Sequence, residues 1–503
     1  MSKHLNVKKS LLAAAAVTAL VGSSGPAFAL TPFQIDVGTA INSGLAYLQG
    51  AGAFSNPSSL GLNSAQGLVM EALLEKRASG NPADPPSGYV GASPTDQGYL
   101  KTAAAYILSN GWQQSFYAYR DGAWMMALSG YALTGGPDKS TLAPANASYR
   151  TIKQTMDAIV DRTLAGQTAS GTCKGFWGYT GNGCDSSTTQ FGAAGLHAAL
   201  AFYQSNKSAD DPFNDPARAA SITAALATTR GGYQLNAKQG SDNASCGPIG
   251  SPLSATERGI GYQATGYNPS LQQTASGIYI QLFGGADVND PGVQSYMEWI
   301  KYRYRYTNLD SMGNSWPTNS YGYYLWSSFK GMELIRQSGV AVSGGNIGPN
   351  DYGTLPAANA PACNQRQSNL NPAAVSQPAL FGAGGVGAYS AETAGQYFDY
   401  AYTLIAMQCA NGSFTCTGFP GSWGDSSNAS HNAYALLVLQ RATGVVVQKC
   451  DVNGDGKVTA ADLALIRARN GQKSAGPNDP ADANGDGKID VADYRYCALH
   501  LTP

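Results

Sequence analysis

Asp185-Ser186-Ser187-Thr188-Thr189-Gln190-Phe191-Gly192-Ala193-Ala194-Gly195-Leu196 reads as the start of a helix that is small on nearly every side. Asp185 offers a carboxylate oxygen to the unpaired N–H groups of a first helical turn. The Gly and Ala positions that follow let other helices pack closely all round it. A Gly-rich aromatic loop, Gly175-Phe176-Trp177-Gly178-Tyr179, leads into this stretch, and Gly421-Ser422-Trp423-Gly424-Asp425-Ser426-Ser427-Asn428 repeats the pattern. The same small-residue character recurs in Asn63-Ser64-Ala65-Gln66-Gly67-Leu68, Asp121-Gly122-Ala123-Trp124, Gln273-Thr274-Ala275-Ser276-Gly277-Ile278 and His431-Asn432-Ala433-Tyr434-Ala435-Leu436-Leu437.

Working outward, residues 30 to about 447 read as helical, with apolar residues at three- and four-residue spacing between Gly-rich polar loops. Twelve segments begin near Val37, Asn63, Gln97, Asp121, Arg150, Ser186, Pro216, Ser270, Val293, Asn319, Gln396 and Asn428. The even-numbered segments are the small-residue ones and suit an inner ring. The odd-numbered ones, such as Arg150 to Ala165 and Ala217 to Thr229, alternate apolar and charged faces and suit an outer ring with one solvated side. Six such hairpins predict an all-α fold, an α/α (α6/α6) toroid. An open helical solenoid is the competing arrangement.

The loop-plus-helix units around Trp177 and Trp423 resemble the Gly-x-Trp repeats of the terpenoid-cyclase and prenyltransferase toroid superfamily. That resemblance implies an α6/α6 barrel with a cavity at the mouth of the inner helices. It does not bring the chemistry with it. The Asp-x-Asp-Asp acid motif of the cyclases is absent from the sequence, as is an apparent Asp, Cys and His zinc set.

Toroid cavities also serve glycoside hydrolases and polysaccharide lyases, and a glycosidase needs two carboxylates across its cleft. The carboxylates expected at inner-helix or mouth positions are Asp121, Asp185, Glu257, Asp310 and Asp425. Asp185 and Asp425 precede helices and read first as N-caps, as Asp121 also does, and Glu257 reads as a partner for Arg258 or part of a capping box. The aromatic groups Tyr117, Tyr119 and Trp124, then Trp177 and Tyr179, then Tyr262 and Tyr267, then Trp316, Tyr321, Tyr323, Tyr324 and Trp326 suit either a ligand-stacking rim or core packing. His197 reads as structural. No nucleophile elbow, metalloprotease helix, P-loop or dinucleotide fingerprint occurs.

The tail carries a different signature. Asp451-Val452-Asn453-Gly454-Asp455-Gly456-Lys457-Val458-Thr459-Ala460-Ala461-Asp462 and Asp482-Ala483-Asn484-Gly485-Asp486-Gly487-Lys488-Ile489-Asp490-Val491-Ala492-Asp493 are two copies of a twelve-residue calcium loop. Oxygen ligands fall at positions 1, 3, 5 and 12, Gly at position 6 makes the sharp turn, and Lys457 and Lys488 at position 7 offer backbone carbonyls. Thr459 and Asp490 occupy position 9. The spacing wraps hard oxygens around one point in each loop, so two Ca²⁺ sites are expected. Exit helices are expected at Ala461 to Asn470 and Val491 to Leu501, while the β-branched run Val445-Val446-Val447 argues against an entry helix. Tandem loops, each with an exit helix and Asp at position 12, resemble the dockerin family over about residues 450–503. This implies docking to a cohesin-like protein and attachment to polysaccharide-degrading assemblies. A calcium-stabilised cap without a partner is the alternative, since the family's contact positions are here the apolar Ala460-Ala461 and Val491-Ala492.

Bulk properties bound the rest. Lys3, Lys8 and Lys9, the apolar run Leu11 to Gly22 and Ala27-Phe28-Ala29 form a secretory signal peptide, residues 1–29, cleaved near Ala29. An exported destination is expected: extracellular, cell-surface or periplasmic. A net charge of −1 with 13% charged residues gives no footprint for nucleic acid, and no stretch reads as a membrane span. In an oxidising compartment the eight cysteines read as disulfides. Cys173–Cys184, Cys409–Cys416 and Cys450–Cys497 would close loops, leaving Cys246–Cys363 by elimination. The domains are then a toroid at 30–447 and a calcium module at 450–503. The reading is an exported polysaccharide-processing protein of hydrolase or lyase type, with a carbohydrate or apolar ligand in the toroid. A non-catalytic ligand-binding toroid and a terpenoid-cyclase-like enzyme are the alternatives.

Overall fold

A computed structural model describes residues 30–77, 86–142, 149–205, 212–240, 252–304, 321–337, 340–348, 351–352, 369–370, 379–380, 389, 392, 395–414, 429–444, 449–453, 458–474, 479–483, 488–498 and 501. The signal-peptide segment lies outside them. Fourteen α-helices are present among the described residues: α1 Pro32–Gly50, α2 Ala65–Leu74, α3 Pro94–Asn110, α4 Ala118–Leu133, α5 Ile152–Ala165, α6 Ser186–Gln204, α7 Pro216–Asn236, α8 Leu271–Phe283, α9 Pro291–Arg303, α10 Tyr321–Gln337, α11 Gln396–Met407, α12 Ala429–Leu439, α13 Ala460–Ala468 and α14 Val491–Ala498. The described strands are one two-residue antiparallel pair, Asn369–Leu370 with Ala379–Leu380.

The twelve expected segments are α1 to α12. The inner six form a closed ring: α2 packs on α4, α4 on α6, α6 on α8, α8 on α10, α10 on α12, and α12 returns to α2. Around it, α3 packs on α2 and α4, α5 on α4 and α6, α7 on α6 and α8, and α9 on α8. Helix α11 packs on α10 and α12, and α1 seals the join by lying against α11 and α12. The fold is therefore the α6/α6 toroid, not an open solenoid.

Local chemistry separates the two rings. Outer helices begin with a side-chain cap followed by a residue preset for the first turn: Thr31 before Pro32, Ser93 before Pro94, Asp215 before Pro216, Asp290 before Pro291. Thr151 and Gln154 form a capping box at α5. Inner helices α2 and α4 are buried over almost their entire length. They approach backbone to backbone at glycines. A Cβ on Gly67 of α2 would stand 2.5 Å from the Ala123 carbonyl of α4, and one on Gly122 of α4 would stand 2.3 Å from the Phe191 carbonyl oxygen of α6. A Cβ on Gly195 of α6 would likewise stand 2.7 Å from the Gly122 Cα.

One large apolar core runs from Phe33 to Ala442, and a separate small one holds Cys450, Val458, Leu463, Ile466, Ala481, Ile489 and Cys497. No described helix is long and apolar enough to cross a membrane.

Gly122→Ala forces α4 and α6 apart against main-chain atoms that have nowhere to move. It should cost about 3 kcal/mol in urea unfolding. A variant as stable as the wild type would show that the inner ring is looser than these contacts require.

Candidate functional site

The starts of α4, α6, α8 and α10 meet at one end of the ring. Ala118 N–H donates to the Tyr179 carbonyl at 2.9 Å, the Ser186 hydroxyl donates to Gln273 Oε1 at 3.2 Å, and the Tyr323 hydroxyl donates to the Ser187 carbonyl at 3.4 Å. At the centre stands Asp185. Its Oδ1 accepts the Ser187 and Thr188 N–H groups at 2.8 and 3.1 Å and the Ser187 hydroxyl at 2.5 Å. Asp185 is thus the N-cap of α6, as the sequence suggested. Burial pushes its carboxyl above the usual range, partly offset by these hydrogen bonds.

Tyrosines surround that carboxylate. Tyr119 donates to the Ser187 hydroxyl at 2.8 Å, the Tyr179 and Tyr262 hydroxyls are 2.8 Å apart, and Tyr262 also hydrogen-bonds to the Asp185 side chain. The result is a linked rim of Tyr119, Ser187, Asp185, Tyr262 and Tyr179. The Tyr262 ring meets Tyr267 edge-on at 5.7 Å, and Tyr119 lies 5.8 Å from Tyr179 and 6.1 Å from Tyr117. The disulfide Cys173–Cys184 staples the loop that carries Tyr179.

Directly inward, rings fill the lumen. Phe191 of α6 touches Tyr119, Tyr323, Trp326 and Tyr434, at centroid distances of 4.9, 6.2, 6.0 and 6.5 Å. Among the described residues these rings pack against one another beneath the rim, where the toroid resemblance implied a cavity. Phe191 and Tyr434 were not among the expected rim aromatics, because each sits within a small-residue helix and reads as ordinary core. Trp124, Trp177 and Trp326 prove to be core residues: Trp177 donates to the Thr163 carbonyl at 2.7 Å and Trp326 to the Ala442 carbonyl at 3.1 Å. Trp316, Asp310 and Asp425 lie outside the described residues.

The other candidate carboxylates are committed to structure. Asp121 does not cap α4 as its N-cap. It is fully buried inside the first turn, paired with Arg120 at 2.9 Å and Arg162 at 2.8 Å, and it accepts the Tyr117 N–H at 3.2 Å. Glu257 pairs with Arg303 of α9 through two bonds of 2.9 Å, both side chains fully buried. Its expected partner, Arg258, instead reaches the Glu257 main-chain carbonyl at 2.6 Å.

Beyond the aromatic layer lies a second group of titrating side chains. Burial pushes Glu75 up to about 7 against the opposing Arg77 guanidinium. Burial drives Lys330 down to about 7 against the Glu71 carboxylate, and its ammonium lies 3.8 Å from the centre of the Trp326 ring. Perturbed groups of this kind often mark active sites, but these are buried, and Arg77 bonds the Gln440 carbonyl just beyond the end of α12. His197 belongs here too, stacked on Phe283 at 4.0 Å.

In the tail, the exit helices are α13 and α14, each beginning as expected. The last carboxylate of each loop ties the loop shut. Asp462 accepts the Asn453 N–H at 3.0 Å, the Thr459 N–H at 2.8 Å and the Thr459 hydroxyl at 3.0 Å, and Asp493 accepts the Asp490 N–H at 2.8 Å. Asp451, Asp462, Asp482 and Asp493 are all buried. Buried carboxylates at the first and last positions of each loop fit Ca²⁺. Asp455, Lys457, Asn484 and Asp486 lie outside the described residues, and among the described ones no three His, Cys, Asp or Glu side chains converge on a single point. The Cys450–Cys497 disulfide joins the ends of the module. Cys409 is also disulfide-bonded, while Cys246, Cys363 and Cys416 lie outside the described residues. Lys449 donates to the Asp479 and Asp482 carbonyls at 3.2 and 2.8 Å, and Arg469 grips the Asp479 carboxylate with two bonds.

Residues 449–496 match the family described as dockerin type I domain. No curated protein and no solved structure matches the chain.

Burial holds His197 neutral and pushes its pKa down to about 4, with the Lys330 charge adding to the effect. The free side chain titrates near 6.5. The folded value lies below the unfolded one, so the contribution is complete above pH 6.5 and is lost as pH falls through about 4. Between pH 7 and pH 4 the wild type should lose about 3 kcal/mol more than His197→Leu in urea unfolding. Equal losses would assign the acid limb to other groups.

Proposed function

We propose that this chain is an exported, calcium-dependent component of a polysaccharide-processing assembly. The single observation that carries the reading is the dockerin type I match at residues 449–496. Dockerin domains bind calcium and dock onto cohesins, and proteins that carry them are typically extracellular or displayed at the cell surface. Residues 1–29 direct export, the toroid at 30–447 is the working domain, and the module at 450–503 tethers it.

Calcium is held in two loops, by Asp451, Asn453, Asp455, Thr459, Asp462 and the Lys457 carbonyl, and by Asp482, Asn484, Asp486, Asp490, Asp493 and the Lys488 carbonyl. The ion supplies charge neutralisation for these carboxylates and fixes the exit helices in register. The docking face is the pair of exit-helix starts. Ala460, Ala461 and Ala492 are exposed there, and Val491 is 71% exposed on the second copy. An apolar face of that kind suits a partner with a complementary apolar patch.

For the toroid, binding is favoured over hydrolysis. A glycosidase needs two carboxylates with room for substrate between them. Asp121 and Glu257 are neutralised by arginines, and Asp185 Oδ1 is occupied by donors from its own helix. A ligand-holding role for the tyrosine rim follows, with hydrolysis as the second reading if Asp425, which the repeated Asp-Ser-Ser pattern pairs with Asp185, supplies the missing group.

Calorimetric titration of the chelated full-length protein should show two Ca²⁺ ions taken up. A double variant, Asp462→Ala with Asp493→Ala, should take up none and should lose binding to an immobilised cohesin. The thermal transition of the toroid should stay unchanged. Cohesin binding that persists in excess chelator would overturn the tethering role.

A further inference from the structure

The tyrosine rim has a property that packing does not require. Tyr179 is 39% exposed and Tyr267 is 45% exposed, yet both sit on loops held firmly in place. Tyr179 lies within the Cys173–Cys184 loop, its carbonyl accepting Ala118 N–H. Tyr267 N–H donates to the Gln263 carbonyl at 3.1 Å, and its own carbonyl accepts the Lys238 ammonium at 3.0 Å. Between them stands Tyr262, whose carbonyl accepts the Ser186 N–H at 2.9 Å. Large rings fixed in water lose little conformational entropy when a ligand arrives, which makes them efficient contact surfaces.

We infer that Tyr179, Tyr262 and Tyr267 form a binding platform for a neutral glycan chain at the mouth of the toroid; this rests on the polysaccharide-assembly reading above and names the ligand class of its rim. Three features select that ligand. The ring faces offer stacking surface to the C–H faces of pyranose rings, while the hydroxyls of Tyr179 and Tyr262 both donate and accept, as sugar hydroxyls do. Charge is nearly balanced. Lys238, its ammonium directed to the carbonyls of Thr265 and Tyr267, brings one positive charge, and the Asp185 carboxylate brings one negative charge. With one charge of each sign, these residues offer an anionic polymer no net attraction. Finally, the aromatic layer around Phe191 blocks deep entry, so the ligand lies across the rim as a chain does, with no end inserted.

Native affinity electrophoresis of the full-length protein tests this, in gels containing xyloglucan, mixed-linkage β-glucan or galactomannan, with polygalacturonate as the anionic control. At least one neutral polymer should retard the wild type. Tyr179→Ala and Tyr267→Ala should each weaken that retardation about ten-fold, and Tyr179→Phe, which keeps the ring and loses the hydroxyl, only about three-fold. Both alanine variants replace exposed side chains, so if one disturbs the fold the other still reports. Retardation by polygalacturonate alone, by none of the polymers, or undiminished in both alanine variants overturns the proposal. Cohesin binding measured on the same samples separates the two readings. Its loss with glycan binding intact would sink the tethering role and leave the platform, and the reverse result would sink the platform alone.

Discussion

Closing six helix hairpins into a ring depends on backbone-to-backbone contact between inner helices. Gly67 against Ala123, Gly122 against Phe191 and Gly195 against Gly122 are where that contact is made. A side chain at any of these points would push α2, α4 and α6 apart, and the gap would travel round to the α12–α2 join. Among the described residues one layer of aromatic rings, supplied by α4, α6, α10 and α12, packs inside the ring.

The same layer separates two chemistries. On its outer side are the exposed rings of Tyr179 and Tyr267 over the buried Ser187 and Asp185. On its inner side are Glu71, Glu75, Arg77 and Lys330, all desolvated, with Arg77 paired to Glu75 at 3.4 Å. Buried pairs of this kind contribute little net stability, since desolvation offsets their attraction, but removing one partner strands the other.

Much of this was legible in the sequence. The parity of small-residue and amphipathic segments identified the inner and outer rings because close approach demands small side chains at every turn. The capping role of Asp185 was legible because it needs only the next three residues. What was hidden depended on distant neighbours. Trp177 and Tyr179 are two residues apart in one Gly-rich loop, yet one is core and the other rim, and the Thr163 carbonyl that claims Trp177 is fourteen residues away. Glu257 seemed to belong with adjacent Arg258, whereas its partner Arg303 lies on a helix 46 residues on. The depth of the mouth was not legible either, because Phe191 and Tyr434 have no local mark that distinguishes a lumen ring from a core ring.

The tail obeys a different physics. Among the described residues its apolar core holds seven buried residues, two of them the cysteines of its own disulfide. A core that small does not offset the entropy of ordering some fifty residues. The module must draw on other sources, and its composition shows which. The disulfide restricts the unfolded chain, Arg469 and Lys449 tie the linker back through Asp479 and Asp482, and buried carboxylates at Asp451, Asp462, Asp482 and Asp493 carry negative charge that a divalent cation would neutralise. On the calcium reading proposed above, the ion would offset that charge, and the module's shape and any docking it performs would depend on calcium.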